Sequence, residues 1–535
     1  MAFAFNPAGE QQLSLFDSYN SLTDREKKFL DRSWAKYFAE YIFPKIDETP
    51  YAVLYSSKDS RPNTPVNIQL GALLIKELTG LSDDELLSSL MFDIRFQYAL
   101  HTTSCIEQPL SDRTLGRFRA RCNAYERETG IDLLHETIQS LSNEMAEIMK
   151  VDLSLKRMDS LMVEANIKTM GRLELLYTCV ANLAKEFSQA DRKLPDDLKH
   201  YINANDRNQV LYHNHSDETA DKISTVLSDA VTLKTLCGSD FDESSSYQLL
   251  LRVLKEQAVE MEDGSYRLRT KEDGGMNGSM LQNPSDPDAT YREKAGKQHR
   301  GYIANVTEAS GEEGSIVTNY HYEQNTYSDS QFMKDALEET EKQDTPVTII
   351  ADGAYCGQEN EQIAESKNVT LVTTNLTGRE TEDILGDFEF SEDGKTVVKC
   401  PCGHAPKSCS YNTKTGQCVV SFHKDICMSC PMKKQCHPKE CSRVCRKSVS
   451  VRSKNRVLSQ RARKTEEFSR HTCFRNGVET IPSILRRKYG IDKIPVRGFI
   501  QSKFFFGCKI GALNIKKFCK CMQGREKCAL MAANA

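Results

Sequence analysis

VTIIADGAY, residues 347–355, decides how this chain is read. The β-branched run Val347-Thr348-Ile349-Ile350 is the signature of a buried strand, and Gly353 closes it in a turn just beyond Asp352. Two further segments centre on a single acid. RMDSLMVEAN surrounds Asp159 in a short mixed run that fits a strand end, and RNGVETIPSILRRKYG places Glu479 at the start of a basic amphipathic helix. Carboxylates at strand ends and on a facing helix can converge on one point, where divalent cations take oxygen ligands. Two such cations, roughly 4 Å apart, activate an attacking oxygen and stabilise a leaving one in phosphodiester chemistry. Acids at strand ends are also ordinary solvated turn residues, so the trio gains meaning only from its surroundings.

Those surroundings form an α/β pattern. Strands are expected at GYIANVTEA (301–309) and SIVTNYHYEQN (315–325), and a helix over SDSQFMKDALEETEKQ with Ser328 as its cap. After VTIIADGAY come a helix at EQIAESK and a strand at VTLVTTN (369–375). The early strands are expected to be antiparallel. Upstream, LELLYTCVANLAKEF and ADKISTVLSDAVTLKTL have helical periodicity and lead into acidic, Ser- and Gly-rich sequence, which reads as an insertion beside the sheet.

Residues 66–149 read as a helical domain, with Ser82-Asp83-Asp84-Glu85 as one start signal and Ser111-Asp112 as another. Arg113, Arg117, Arg119 and Arg121 give the second helix a basic face, which fits the DNA-contacting half of a helix-turn-helix with Arg113 and Arg117 in contact. The late segment SKFFFGCKIGALNIKKF mixes aromatics with lysines and reads as a core-packing helix rather than a base-stacking platform.

The formal net charge of -4 conceals an uneven distribution. Acids dominate 239–288 and 308–344, whereas basic residues prevail from Arg443 onward and surround Glu479, which suits a polyanion lying across the site. No apolar run reaches membrane-spanning length and the first residues lack the pattern of a signal peptide, so a cytoplasmic, nucleoid-associated protein without a membrane partner is expected.

Of the 19 cysteines, about half lie between Cys400 and Cys445. Cys400-Pro-Cys402-Gly, then Cys427-x-x-Cys430-Pro, then Cys436 point to a metal-held segment rather than a disulfide framework. Cys427 and Cys430 supply one pair of thiolates; Cys436 and one of Cys400 or Cys402 supply the other, with His404, His423 and His437 as alternates. Zinc is expected ahead of an iron–sulfur cluster, folding a loop-rich segment with little apolar core.

In this order the segments resemble a bacterial insertion-sequence transposase of the DDE class, of the family 1182 type. The resemblance runs from about residue 40 to 515 through DIRFQYAL, SDRTLGRFR, RMDSLMVEAN, SDPDATYREKAGKQHRGYIANV, IIADGAY, CPCG…CMSCPMKKQC and RNGVETIPSILRRKYGIDKIPVRG. It implies an RNase H-like mixed sheet with flanking helices, a helical N-terminal domain, a helical insertion and a small Cys-rich metal-binding insertion. Asp159, Asp352 and Glu479 would hold two Mg²⁺ or Mn²⁺ ions, and Arg475, Arg486 and Arg487 would steady DNA phosphates. The related signature of Tyr, Arg, Glu and Lys is met by Arg475 and Glu479, with Arg486 where the Lys stands and Thr472 in place of the Tyr. Gln12, Leu13, Leu15 and Phe16 resemble the peptide by which bacterial replication proteins dock on the sliding clamp. The implied function is a DNA transposase, dimeric on double-stranded element ends, that hydrolyses them and joins the 3′ ends to target DNA. A non-catalytic DNA-binding descendant and an unrelated metal-dependent nuclease or phosphatase are the competing readings. The expected divisions are an N-terminal arm (1–60), a helical DNA-binding domain (61–150), and a catalytic domain (151–175, 286–395 and 450–515). The helical insertion (176–285), the Cys-rich insertion (396–449) and a C-terminal tail (516–535) complete them.

Overall fold

A computed structural model describes the chain apart from residues 7–16, 59, 106, 213–215, 295, 343, 356, 375–380, 463–464 and 534–535. Its N-terminal third is helical. Helix α1 (Val66–Thr79) is buried along most of its length, from Val66 to Lys76, and stops at Gly80 in the left-handed region (φ 75°). A helix apolar on every side belongs in the middle of a core. Helix α2 (Asp83–Phe92) starts at the expected signal: the Ser82 amide donates to Glu85 Oε2 (2.8 Å) and the Glu85 amide to Ser82 Oγ (3.2 Å). Helices α3 (Asp112–Thr129) and α4 (Leu133–Ile148) follow.

Strand β1 (Asp152–Glu164) runs 13 residues, so Asp159 lies well inside a strand rather than at its end. The chain then leaves the sheet for α5 (Arg172–Gln189), α6 (Ser216–Cys237) and α7 (Ser245–Gln257), which close around a core of their own, including Leu176, Leu183, Leu227, Leu250 and Leu254. Helices thus form over the stretches whose periodicity predicts them. The chain returns through a short strand, Thr290–Lys294, that pairs with the start of β2 (Lys297–Gly311). Strands β3 (Gly314–Gln324), β4 (Val347–Ala351) and β5 (Val369–Thr373) complete the sheet. β2 is antiparallel to both β1 and β3, whereas β4 is parallel to β1 and β5 parallel to β4. The order across the sheet is therefore 3-2-1-4-5, a mixed α/β arrangement consistent with an RNase H-like domain.

Alternation along β1 sorts its side chains onto two faces. Met158 and Met162 join the core under α8 (Asp329–Glu339), with Phe332 and Met333 from that helix, whose cap is Ser328 as expected. Helix α9 (Gln358–Ser366) lies between β4 and β5 in sequence. Leu161 and Val163 point the other way, into the core shared with the N-terminal helices. Downstream, strands β6 (Ser408–Asn412), β7 (Gln417–His423), β8 (Lys439–Glu440) and β9 (Val444–Val449) form a separate small sheet in the cysteine-rich region. Helices α10 (Glu466–Asn476) and α11 (Thr480–Tyr489) then cross the second face of the main sheet.

Helix α12 (Phe499–Ala533) spans 35 residues and unites the molecule. Phe504, Phe506, Ile510, Leu513 and Phe518 are buried in one core with α1, α3, α4, β2 and β3, so the aromatic–lysine segment is a core helix, as expected. Two divisions differ from expectation. Residues 516–533 continue α12, because Phe518, Cys519 and Cys521 still have core to cover. Within 1–60, Leu30, Tyr37, Phe38 and Tyr51 are buried in the same core, so that stretch is anchored over much of its length. Among the described residues no helix is long and apolar enough to cross a membrane.

Candidate active site

The parallel register of β1 and β4 matches Leu155 with Thr348, Lys156 with Ile349 and Arg157 with Ile350. Asp159 and Asp352 each follow two residues after the last of these pairs, Arg157 and Ile350, at corresponding points of the two chain segments. Asp352 follows the last residue of β4, where its Oδ1 accepts from the Gly353 amide at 2.6 Å. Glu479 ends a single 3₁₀ turn, Gly477–Glu479, that feeds directly into α11. Pro482 falls in the first turn of that helix, where a missing N–H costs nothing.

Arg475 links these elements. Its guanidinium lies 3.8 Å from Asp159 Oδ2 and 3.3 Å from Glu479 Oε1. The Arg475 and Asp159 side chains are largely buried, whereas that of Glu479 is 63% exposed. Burial pushes the Asp159 carboxyl above the ordinary aspartate value; Arg475, the Ser160 amide and Lys294 pull against that without cancelling it. Asp329, on the same side of the balance as burial, adds a second negative charge near Asp159, and its Oδ1 is buried with no hydrogen-bond partner.

A second layer holds this arrangement. Arg157, two residues before Asp159 on the same face of β1, donates through Nε to Glu308 Oε2 on β2 (2.7 Å) and through Nη1 to the Phe474 carbonyl near the end of α10. Glu308, 1% exposed, also binds Lys517 of α12. Burial alone would raise the Glu308 carboxyl, but Lys517 and Arg157 together hold it below its usual range. At Gly477 a Cβ would fall 2.1 Å from Arg157 Nη1, so any larger residue would force the guanidinium or the turn carrying Glu479 to shift. On the other face, Tyr355 is buried just after the Gly353 turn, and its hydroxyl accepts from Asn305 Nδ2 of β2 at 2.7 Å.

The other expected contacts divide into two groups. Arg113 and Arg117 are exposed on α3, whereas Arg119 is bound to Asp83 (2.7 Å) and Arg121 lies over Tyr55. Arg487 is exposed, but Arg486 bonds Asp492 (3.2 Å) and the Met162 carbonyl (2.9 Å), and Arg475 is occupied as described. Gln12, Leu13, Leu15 and Phe16 lie outside the described residues. Cys400, Cys427, Cys430 and Cys436 all line one cavity with Cys402 and His404. The hydrogen bond that Cys402 shares with Cys430, together with burial, pushes the Cys402 thiol up to about 11. As the side chains stand, no three His, Cys, Asp or Glu groups among the described residues are arranged to hold a metal ion. Arg157, Glu308, Asp329 and Tyr355 were not singled out from sequence; nothing local marks them, since their partners lie far along the chain.

Residues 399–519 match the family described as transposase DDE domain, and residues 27–121 match the transposase domain DUF772. The two matches together support an insertion-sequence DDE transposase. The pairing is consistent with the 1182 type. The first match takes in Glu479 and the cysteine-rich region, whereas Asp159 and Asp352 lie outside both. No curated protein and no solved structure matches this transposase chain.

Proposed function

We propose that this DNA transposase acts through Asp159, Asp352 and Glu479 on an RNase H-like catalytic domain, cutting phosphodiester bonds at element ends and joining the freed 3′ ends to target DNA. The observation that carries this reading is that Asp159 and Asp352 each stand two residues beyond Arg157 and Ile350, the last paired residues of two adjacent parallel strands, while Arg475 joins Asp159 to Glu479. The donor set fits a hard divalent cation: all three groups are carboxylates, and Asp159 is largely buried with burial outweighing the groups that stabilise its charge. Mg²⁺ or Mn²⁺ held there would supply Lewis-acid activation of the attacking oxygen and stabilisation of the leaving one.

The chain's own groups supply the rest. Asp159 and Asp352 are positioned by two paired strands, so the rigid sheet defines the reaction centre. Arg475 neutralises part of the carboxylate charge and keeps Glu479 at the rim, where its exposed side chain is free to turn toward the aspartates. Arg487 beside the site, and Arg113 and Arg117 on α3, are cations that DNA phosphates would meet. Dimerisation across two ends, and clamp docking through Gln12, Leu13, Leu15 and Phe16, rest on the family resemblance alone.

The test is incubation of the purified chain with a duplex carrying the element's ends and target DNA in Mg²⁺ or Mn²⁺. Cation-dependent nicking at the ends followed by strand joining is expected. A mobility shift without cutting would identify a DNA-binding descendant, and cleavage without joining a nuclease.

A further inference from the structure

The cysteine-rich region holds a constellation that the chemistry above does not use. Cys400 and Cys402 sit on a turn in which the Gly403 amide donates to the Cys400 carbonyl (2.7 Å) and the Cys400 amide to the His404 carbonyl (2.9 Å). Gly403 takes φ +83°, so the chain reverses tightly and carries both thiols to one side. Cys430 lies in a second turn, just after the short helix Lys424–Met428, and Cys436 ends the next one, Lys433–Cys436. The two turns face each other: Cys402 Sγ and Cys430 Sγ are 3.2 Å apart, and Cys400, Cys402, Cys430 and Cys436 line one cavity of about 30 Å³. Two thiolates on a tetrahedral zinc, with bonds of about 2.3 Å, stand roughly 3.8 Å apart. The Cys402–Cys430 pair is within a small side-chain rotation of that edge.

We infer that Cys400, Cys402, Cys430 and Cys436 form a four-thiolate structural zinc site that fastens the turn at 400–403 to the segment 427–436. The thiols ring the cavity without yet meeting at a point, and the metal draws them together. Cys427 lines the same cavity but is directed toward Cys445 of β9, which takes it out of the set and brings Cys402 in. Binding Zn²⁺ releases four thiol protons and leaves a centre of net charge -2. Lys433 and Lys447, both on the cavity wall, offset that charge. Besides His404, the remainder of the wall is apolar, with Ile384, Phe388 and Phe422 limiting the access of water, as a closed structural site requires. The region has four strands of at most seven residues and a correspondingly thin core. A zinc there contributes folding free energy directly.

The test uses the full chain purified from zinc-supplemented cells and passed into metal-free buffer. Elemental analysis should find one zinc per chain, and cobalt exchanged into the site should give the intense thiolate charge-transfer band of tetrahedral sulfur ligation. Alkylation of the native protein should modify the exposed Cys105, Cys473 and Cys528 and spare the four ligands until a chelator is added. The double variant C402S/C430S should lose at least nine-tenths of the zinc, whereas C409S and C427S should retain it. If the double variant fails to fold, the wild-type alkylation pattern still decides. Substoichiometric zinc in a folded protein with those four thiols freely alkylated, bound iron in place of zinc, or a Cys402–Cys430 disulfide in anaerobically purified protein would each overturn the assignment.

Discussion

Arg475, in the last turn of α10, stands 3.8 Å from Asp159 of β1, a largely buried cation beside a largely buried carboxylate. The same guanidinium reaches Glu479, so the two acids furthest apart in sequence within the proposed trio share one counter-ion. Removing the cation strands Asp159 in the interior, which typically costs about 3 kcal/mol, whereas the exposed Glu479 arm contributes under about 1 kcal/mol. R475Q should therefore lower the unfolding free energy by about 2–3 kcal/mol in urea titrations. E479Q should change it by less than about 1 kcal/mol yet eliminate strand cleavage. Equal stability losses in the two variants would refute this division of labour.

Burial holds the Asp159 carboxyl above its ordinary value, so ionising it opposes folding. The sign follows: stability falls as pH rises from the ordinary aspartate value through the raised one. D159N escapes that cost, so without divalent cations its melting temperature at neutral pH should equal or exceed that of the wild type. Adding Mn²⁺ should raise the melting temperature of the wild type and leave D159N and D352N unmoved. An equal Mn²⁺ response in all three proteins would place the cation elsewhere.

Glu308 behaves in the opposite sense. Lys517 and Arg157 hold it below its usual range against its burial, so its contribution is intact at neutral pH and disappears as pH falls through that lowered value. E308Q leaves both cations without their carboxylate, and a loss of about 3–5 kcal/mol is expected at pH 7, shrinking in acid. Because Arg157 also grips the Phe474 carbonyl, cleavage should fall more than binding of DNA. Thermal melts between pH 3 and pH 7, paired with band-shift titrations, would check both.

Gly477 is constrained by proximity to Arg157 rather than by its own backbone angles. G477A places a methyl group 2.1 Å from a guanidinium that is already bonded to Glu308 and Phe474. Either the turn lifts and Glu479 moves with it, or the guanidinium gives up its bonds to Glu308 and Phe474, at a cost of about 1–3 kcal/mol. Cleavage should drop by a factor of ten or more while the circular dichroism spectrum stays native. Wild-type turnover in G477A would show that the position of this turn is not critical.

On α3, R113A/R117A removes two exposed cations without touching the core. If both meet phosphates, the slope of log affinity against log salt should shrink by about 2, and affinity should fall alike on all duplexes. An unchanged slope would exclude that helix from the DNA interface.

The elements that were legible in sequence are those in which local pattern and tertiary role agree. The β-branched run ending at Asp352, the Ser328 and Ser82 caps and the apolar periodicity of α12 each encode their structure within a dozen residues. The short mixed run RMDSLMVEAN fits a strand end at Asp159; in the fold its polar residues are satisfied from afar, Arg157 by Glu308 and by α10. Such partners, 151 residues apart in that case, leave no local trace. The same holds for Cys402, whose place beside Cys430 depends on two turns meeting across the small sheet.

Gly301 has Glu164, the last residue of β1, on one side and Thr290, the first residue of the short returning strand, on the other. Its φ of +148° and the 2.4 Å that would separate a Cβ from the Val163 carbonyl make it the hinge pin of this junction. More than a hundred residues thus depart and come home at one spot on the sheet, carrying their own hydrophobic interior with them. A lobe tethered in this way could change in length without altering the pairing of β1 with β2.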